Sequence, residues 1–159
     1  MKKLFILIMC FLLPITAMAK GDDLNYEIES AGVSSSGMTL VKVSVYVKKV
    51  KEATSDLLKK AAVHGIVFRG VSASSVTGYS KQKALVTSPA AAEQYADFFD
   101  SFFSDGGRYS VYATMVNSTT ETVKVGKEYR VSAVVNVSTD ALKKDLKDAG
   151  IIKGMVDGF

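Results

Sequence analysis

Leu40-Val41-Lys42-Val43-Ser44-Val45-Tyr46-Val47-Lys48 decides the fold class: valine stands at every odd position, while Lys42, Ser44 and Lys48 share the other side with Leu40 and Tyr46. Successive side chains of an extended chain point to opposite faces, so this alternation predicts a strand with one buried face and one wet face. Upstream, Tyr26 and Ile28 alternate with Asn25, Glu27 and Glu29, and Ser34-Ser35-Ser36-Gly37 lies between the two runs. Two alternating runs divided by a Ser/Gly turn predict a β-hairpin.

The same period returns late in the chain. Tyr129, Val131, Ala133, Val135 and Val137 share one face, opposite Arg130, Ser132, Asn136 and Ser138; Tyr109, Val111, Ala113 and Met115 share a face of a preceding strand. Between these β regions the period changes to that of a helix. Thr54 or Ser55 can cap a helix with Asp56 in its first turn, Leu57, Leu58, Ala61 and Ala62 as its buried stripe, and Gly65 as its stop. Ile66-Val67-Phe68 then reads as a short buried strand, and residues 70–82, rich in serine, glycine and valine, read as a loop. Ser88-Pro89 opens an aromatic helix, since proline at the first helical position misses no hydrogen bond. Tyr95, Phe98, Phe99, Phe102 and Phe103 recur along it at helical spacing, and Gly106-Gly107 ends it. Ser138 or Thr139 caps a last helix carrying Leu142 and Leu146, with Gly150 as its stop.

The expected order is β-β-α-β-α-β-β-α. Strands with one apolar and one polar face imply a sheet covered on a single side, so the expectation is an α+β two-layer sandwich, mainly antiparallel, with helices on one face.

The start of the chain reads as an address. Lys2 and Lys3 precede an unbroken apolar run over residues 4–13, Pro14 breaks it, and Ala17-Met18-Ala19 offers small residues where a signal peptidase cuts. The run is shorter than the roughly 20 residues a spanning helix needs. Residues 1–19 are therefore expected to be a cleaved signal peptide and residues 20–159 a single α+β domain, periplasmic or secreted, with no transmembrane segment. Cys10, which raises the alternative of a lipidated cysteine, sits inside the apolar run behind the bulky Met9 and would leave with the signal. The remaining 140 residues (159 less 19) would then hold no cysteine, which excludes disulfides, thiolate metal sites and a cysteine nucleophile. Their charge would be 18 basic residues (20 less Lys2 and Lys3) against 16 acidic, a net of +2 where the whole chain has +4.

The search for chemistry yields few candidates. His64 is the one histidine, so a multi-histidine metal site is excluded; near the end of a short helix, where a cation would meet the helix dipole favourably, it reads either as a general base or, the plainer reading, as a capping or half-buried imidazole. Gly70-Val71-Ser72-Ala73-Ser74 is similar to the hydrolase nucleophile elbow but lacks its final glycine. Glu93, Asp97 and Asp100 are spaced to cluster on a helix, where they read as its solvated side, and Gly106-Gly107 follows a helix, so it cannot present a helix N-terminus to phosphate. Asn117-Ser118-Thr119 matches a glycosylation sequon and marks a loop. Lysine pairs such as Lys48-Lys49, Lys59-Lys60 and Lys143-Lys144 are scattered among acids, unlike the concentrated basic face that nucleic-acid binding requires. No catalytic, cofactor or metal site is read from the sequence, and no cofactor is expected.

Two stretches carry a resemblance: Ala61-Ala62-Val63-His64-Gly65-Ile66-Val67-Phe68-Arg69-Gly70, and Val125-Gly126-Lys127-Glu128-Tyr129-Arg130-Val131 running on to Gly150-Ile151-Ile152-Lys153-Gly154. Together they resemble a group of uncharacterised small exported proteins of Gram-negative bacteria. More distantly, a strand leading into Ala-Leu-Lys-Lys-Asp-Leu looks like small envelope domains associated with flagella and curli secretion. The resemblance implies a periplasmic or surface location and a non-enzymatic role, and brings no catalytic residues with it.

The leading expectation is thus an exported envelope interaction or accessory module that binds a protein or envelope component. Its candidate surfaces are the loop over residues 70–82 and the tail, where Ile151, Ile152, Met155, Val156 and Phe159 are apolar for a terminus; the other reading of the tail packs it against the sheet. The alternative function is a small-molecule binder or hydrolase with a pocket between sheet and helices, using His64 with Ser72 or a nearby acid. A structural subunit is a third.

Overall fold

The computed structural model describes residues 24–32, 37–74 and 79–153. Residues 1–19, expected to be a signal peptide, and the expected leader up to Asp23 lie outside these residues, as do Met155, Val156 and Phe159 of the tail. The fold is α+β, an open antiparallel sheet with helices packed on one face. The strands are β1 (Tyr26–Gly32), β2 (Thr39–Val47), β3 (Ala113–Met115), β4 (Glu121–Val125) and β5 (Glu128–Val137). The helices are α1 (Ser55–His64), α2 (Pro89–Gln94), α3 (Ala96–Phe102) and α4 (Thr139–Asp148).

The valine alternation does what its period predicts. Val41, Val43, Val45 and Val47 of β2 and Val131, Ala133, Val135 and Val137 of β5 are all buried, whereas Lys42, Ser44 and Arg130 between them remain partly wet. The order β1-β2-β5-β3 runs across the sheet, and β4 pairs with the other half of β5 beside β3. β2 and β5 therefore form the centre, each paired along both edges. Leu58, Ala61 and Ala62 of α1, Phe99 and Phe102 of α3, Phe103, and Leu142 and Leu146 of α4 close over the apolar face in one core. Thr54 caps α1, its hydroxyl accepting from the Leu57 amide at 3.1 Å.

Four local expectations are corrected. Gly65 does not stop α1. Its backbone stays right-handed (φ −60, ψ −48), and the helix widens into a π turn over Gly65–Arg69, so Ile66-Val67-Phe68 is helical and not a strand. The missing side chain serves a close approach: a Cβ there would lie 2.8 Å from Cδ1 of Ile28 on β1. The stop falls at Gly70 (φ 78, ψ −178), a conformation open only to glycine. The carbonyls of Ile66 and Val67, left over at the helix end, accept from the amides of Leu85 and Val86.

The aromatic helix is two helices, broken at Tyr95 (φ −108, ψ 27), whose hydroxyl donates to the Gly150 carbonyl at 3.0 Å. Pro89 takes the first helical position as expected, but the Ser88 side chain makes no cap bond. Residues expected as a strand from Tyr109 begin instead as a 3-10 turn, Arg108–Tyr112, and only Ala113–Met115 is extended. With three residues per turn, Tyr109 and Tyr112 both face the core and Val111 is left 73 % exposed. Their hydroxyls donate to the carboxylates of Asp56 and Asp145, which fix the turn from two helices.

β4 has no counterpart in the sequence reading. Its one apolar alternation, Val123 and Val125 about Lys124, is short and all its side chains are exposed; Gly126 (φ 61) turns the chain back so that Val125 faces Glu128. At the C-terminal end Gly150 (φ 75) does end α4, and Ile151 is buried while Ile152 packs partly against the core.

Candidate functional site

The sequence candidates do not come together. His64, on the last turn of α1, points into the aromatic core: its ring lies 4.9 Å from that of Phe68 and 5.3 Å from that of Phe103, and its Nδ1 is 2.7 Å from the Tyr26 hydroxyl. Removal from water, with the positive charges of Arg69 and Lys60 nearby, lowers its pKa from 6.5 to about 4. Desolvation likewise raises Tyr26 to about 12, only partly offset by Arg69. The ring is thus neutral at neutral pH, a half-buried imidazole at the last α-helical residue of α1. Ser72 is exposed and sits at the edge of β1, held through its backbone: its amide donates to the Ile28 carbonyl and its carbonyl accepts from the Ser30 amide. The hydrogen-bond partner of His64 among the described residues is Tyr26, neither a serine nor an acid. Glu93, Asp97 and Asp100 are exposed, and among the described residues no group of three or more His, Cys, Asp or Glu could hold a metal ion. No described helix is long and apolar enough to cross a membrane.

Of the tail candidates, Ile151 is spent on the core and Ile152 is half-buried. The described parts of the loop, residues 70–74 and 79–82, are tied down through Val71, which exchanges backbone hydrogen bonds with Gln82, and through Ser72.

One concavity among the described residues lies on the side of the sheet that the helices leave open. A trough of about 560 Å³ crosses β1, β2 and β5 and reaches around the β1 edge to Arg69 and Ser72. Its shape follows from register. Glu27 stands opposite Ser44, Ser44 opposite Ser132, and Ser132 opposite Glu121, so two short side chains occupy the centre of one cross-strand row with an acid at each end. The serine hydroxyls are 2.7 Å apart, and Ser132 is only 4 % exposed; together they floor the trough. The neighbouring rows carry long cations, Lys42 on one side and Arg130 on the other. Between sheet and helices the described residues form the packed core, and the trough lies on the opposite face.

The charges in the trough are held in different ways. Lys42 is paired with Glu121 at 3.0 Å. Arg69 lies 4.1 Å above the Tyr26 ring and donates to the Tyr26 carbonyl at 3.0 Å. Arg130 differs: its Nε is shielded from water and has no hydrogen-bond partner, and the side chain makes no ion pair among the described residues. Lys42, Ser44, Arg130 and Ser132 were each legible as the wet side of a strand. Their meeting was not, because it depends on how three strands align.

Comparison with known protein families, curated proteins and solved structures returned no match.

Proposed function

We propose that this chain is an exported, non-enzymatic interaction module of the bacterial envelope, and that the open face of its sheet is the binding surface. The observation that carries this reading is the trough itself. Helices cover only one face, and the other face presents a preformed concavity lined by Lys42, Arg69, Arg130, Glu27 and paired serines. A concave site with a few fixed polar groups is the usual form of a binding site. The non-enzymatic part is supported by the placement of His64 among aromatic rings with Tyr26, neither a serine nor an acid, as its hydrogen-bond partner among the described residues. The export part rests on residues 1–19.

Fractionation of cells followed by site-specific photo-crosslinking tests both parts. The protein is expected in the envelope fraction lacking residues 1–19, and a photoreactive residue in place of Lys42 on the open face is expected to give a discrete adduct that one in place of Asp100 on α3 does not. An unprocessed protein in the cytoplasm, or identical adduct patterns from the two positions, overturns the reading.

A further inference from the structure

We propose that Arg130 is the anchor for the carboxylate of a short peptide-like zwitterion, whose positive end is received by Glu27 across the serine floor of the trough. The inference deepens the open-face reading and rests on it.

The argument starts from the unpartnered guanidinium. Arginine is a fork of five N–H donors with no acceptor, and Arg130 uses none of them on a described residue. Its Nε is shielded from water, so solvent does not satisfy it either. Of the carboxylates on this face beside it, Glu121 is taken by Lys42, and Glu128, two residues back along β5, makes no ion pair with it. Beside Arg130, Ser44 and Ser132 share one hydrogen bond. Each hydroxyl has one hydrogen, so the pair keeps one to donate outward. The donors around the floor thus suit a planar two-oxygen acceptor, which the guanidinium fork matches better than a lysine does.

The acids decide which acceptor. Glu27 ends the same cross-strand row, exposed and without an ion pair among the described residues, and Glu29 lines the trough as well. A phosphate dianion would meet repulsion from Glu27. A ligand with a carboxylate at one end and an ammonium at the other has its charges matched, the carboxylate to Arg130 and the ammonium to Glu27.

Titration of the folded protein with glycylglycine, followed by NMR at the Arg130 Nε–H and at the Ser44 and Ser132 amides, tests this, with acetate and inorganic phosphate as the comparison probes. Glycylglycine is expected to shift these signals saturably and more tightly than either simple anion. Arg130→Gln is expected to weaken it about tenfold or more, as loss of a charge-assisted hydrogen bond implies, and Glu27→Gln to weaken glycylglycine but not acetate. Ser44→Leu, which fills the floor and spares both charges, is expected to abolish binding with the amide spectrum still dispersed. No saturable shift, undiminished binding by Arg130→Gln, or tighter binding of phosphate than of glycylglycine overturns the inference. If glycylglycine fails while the open-face cross-link persists, only the ligand class falls; if the cross-link also fails, so does the reading beneath it.

Discussion

His64→Phe tests the core through its pH dependence. In the folded protein desolvation first, and then the charges of Arg69 and Lys60, hold the imidazole at about 4 against an ordinary value of 6.5. A depressed histidine means that the folded state prefers the neutral ring. Its contribution to stability is whole above about pH 6.5 and is lost as the pH falls toward 4, because the unfolded chain then takes up a proton that the folded one refuses. Between about pH 7 and pH 4 that difference amounts to roughly 3 kcal/mol. Phenylalanine keeps an aromatic ring against Phe68 and Phe103 and cannot titrate. It leaves the Tyr26 hydroxyl without its Nδ1 partner, which costs stability at every pH and leaves the slope unaffected. Urea unfolding at a series of pH values should therefore show wild type losing roughly 3 kcal/mol more than His64→Phe over this range, with the losses from other acids common to both. Parallel stability curves for the two proteins would refute the placement of His64 in a dry aromatic site.

Two further outcomes follow from packing and backbone. Phe99→Ala and Phe102→Ala should each cost about 3–5 kcal/mol, measured by thermal unfolding, whereas Phe98→Ala should cost clearly less because Phe98 is half-buried; equal losses at all three would contradict the orientation of α3. Gly70→Ala places a Cβ 2.4 Å from the Gln82 carbonyl oxygen at a backbone angle reserved for glycine, so its cost should exceed about 2 kcal/mol, and an unchanged denaturation midpoint would show that the end of the π turn is misplaced.

The fold was legible where a single period ruled. β2 and β5 alternate without interruption and lie at the sheet centre, and Leu142 and Leu146 of α4 bury at helical spacing. The misreadings share a cause. Gly65 was ambiguous because glycine both ends helices and permits close packing, and only the position of Ile28 on β1 selects the second. Over residues 109–115 a period of two competed with a period of three, and the hydroxyl partners Asp56 and Asp145, distant in sequence, favour the turn. β4 buries no side chain, and Val123 and Val125 alone, about Lys124, are too short a pattern to mark its pairing with β5. The site was illegible for a related reason. In the sequence Ser44 and Ser132 read as ordinary wet-face residues, although Ser132 is buried, and nothing local shows that they are neighbours.

By itself the amino-acid sequence determined the class of fold and which face of each central strand is dry, because side-chain alternation and helical spacing are local properties of the chain. Tertiary structure decided where α1 ends, how the aromatic helix breaks and where the trough lies. Those features depend on register between strands and on contacts spanning scores of residues, and such alignment is set by the packing of the whole core.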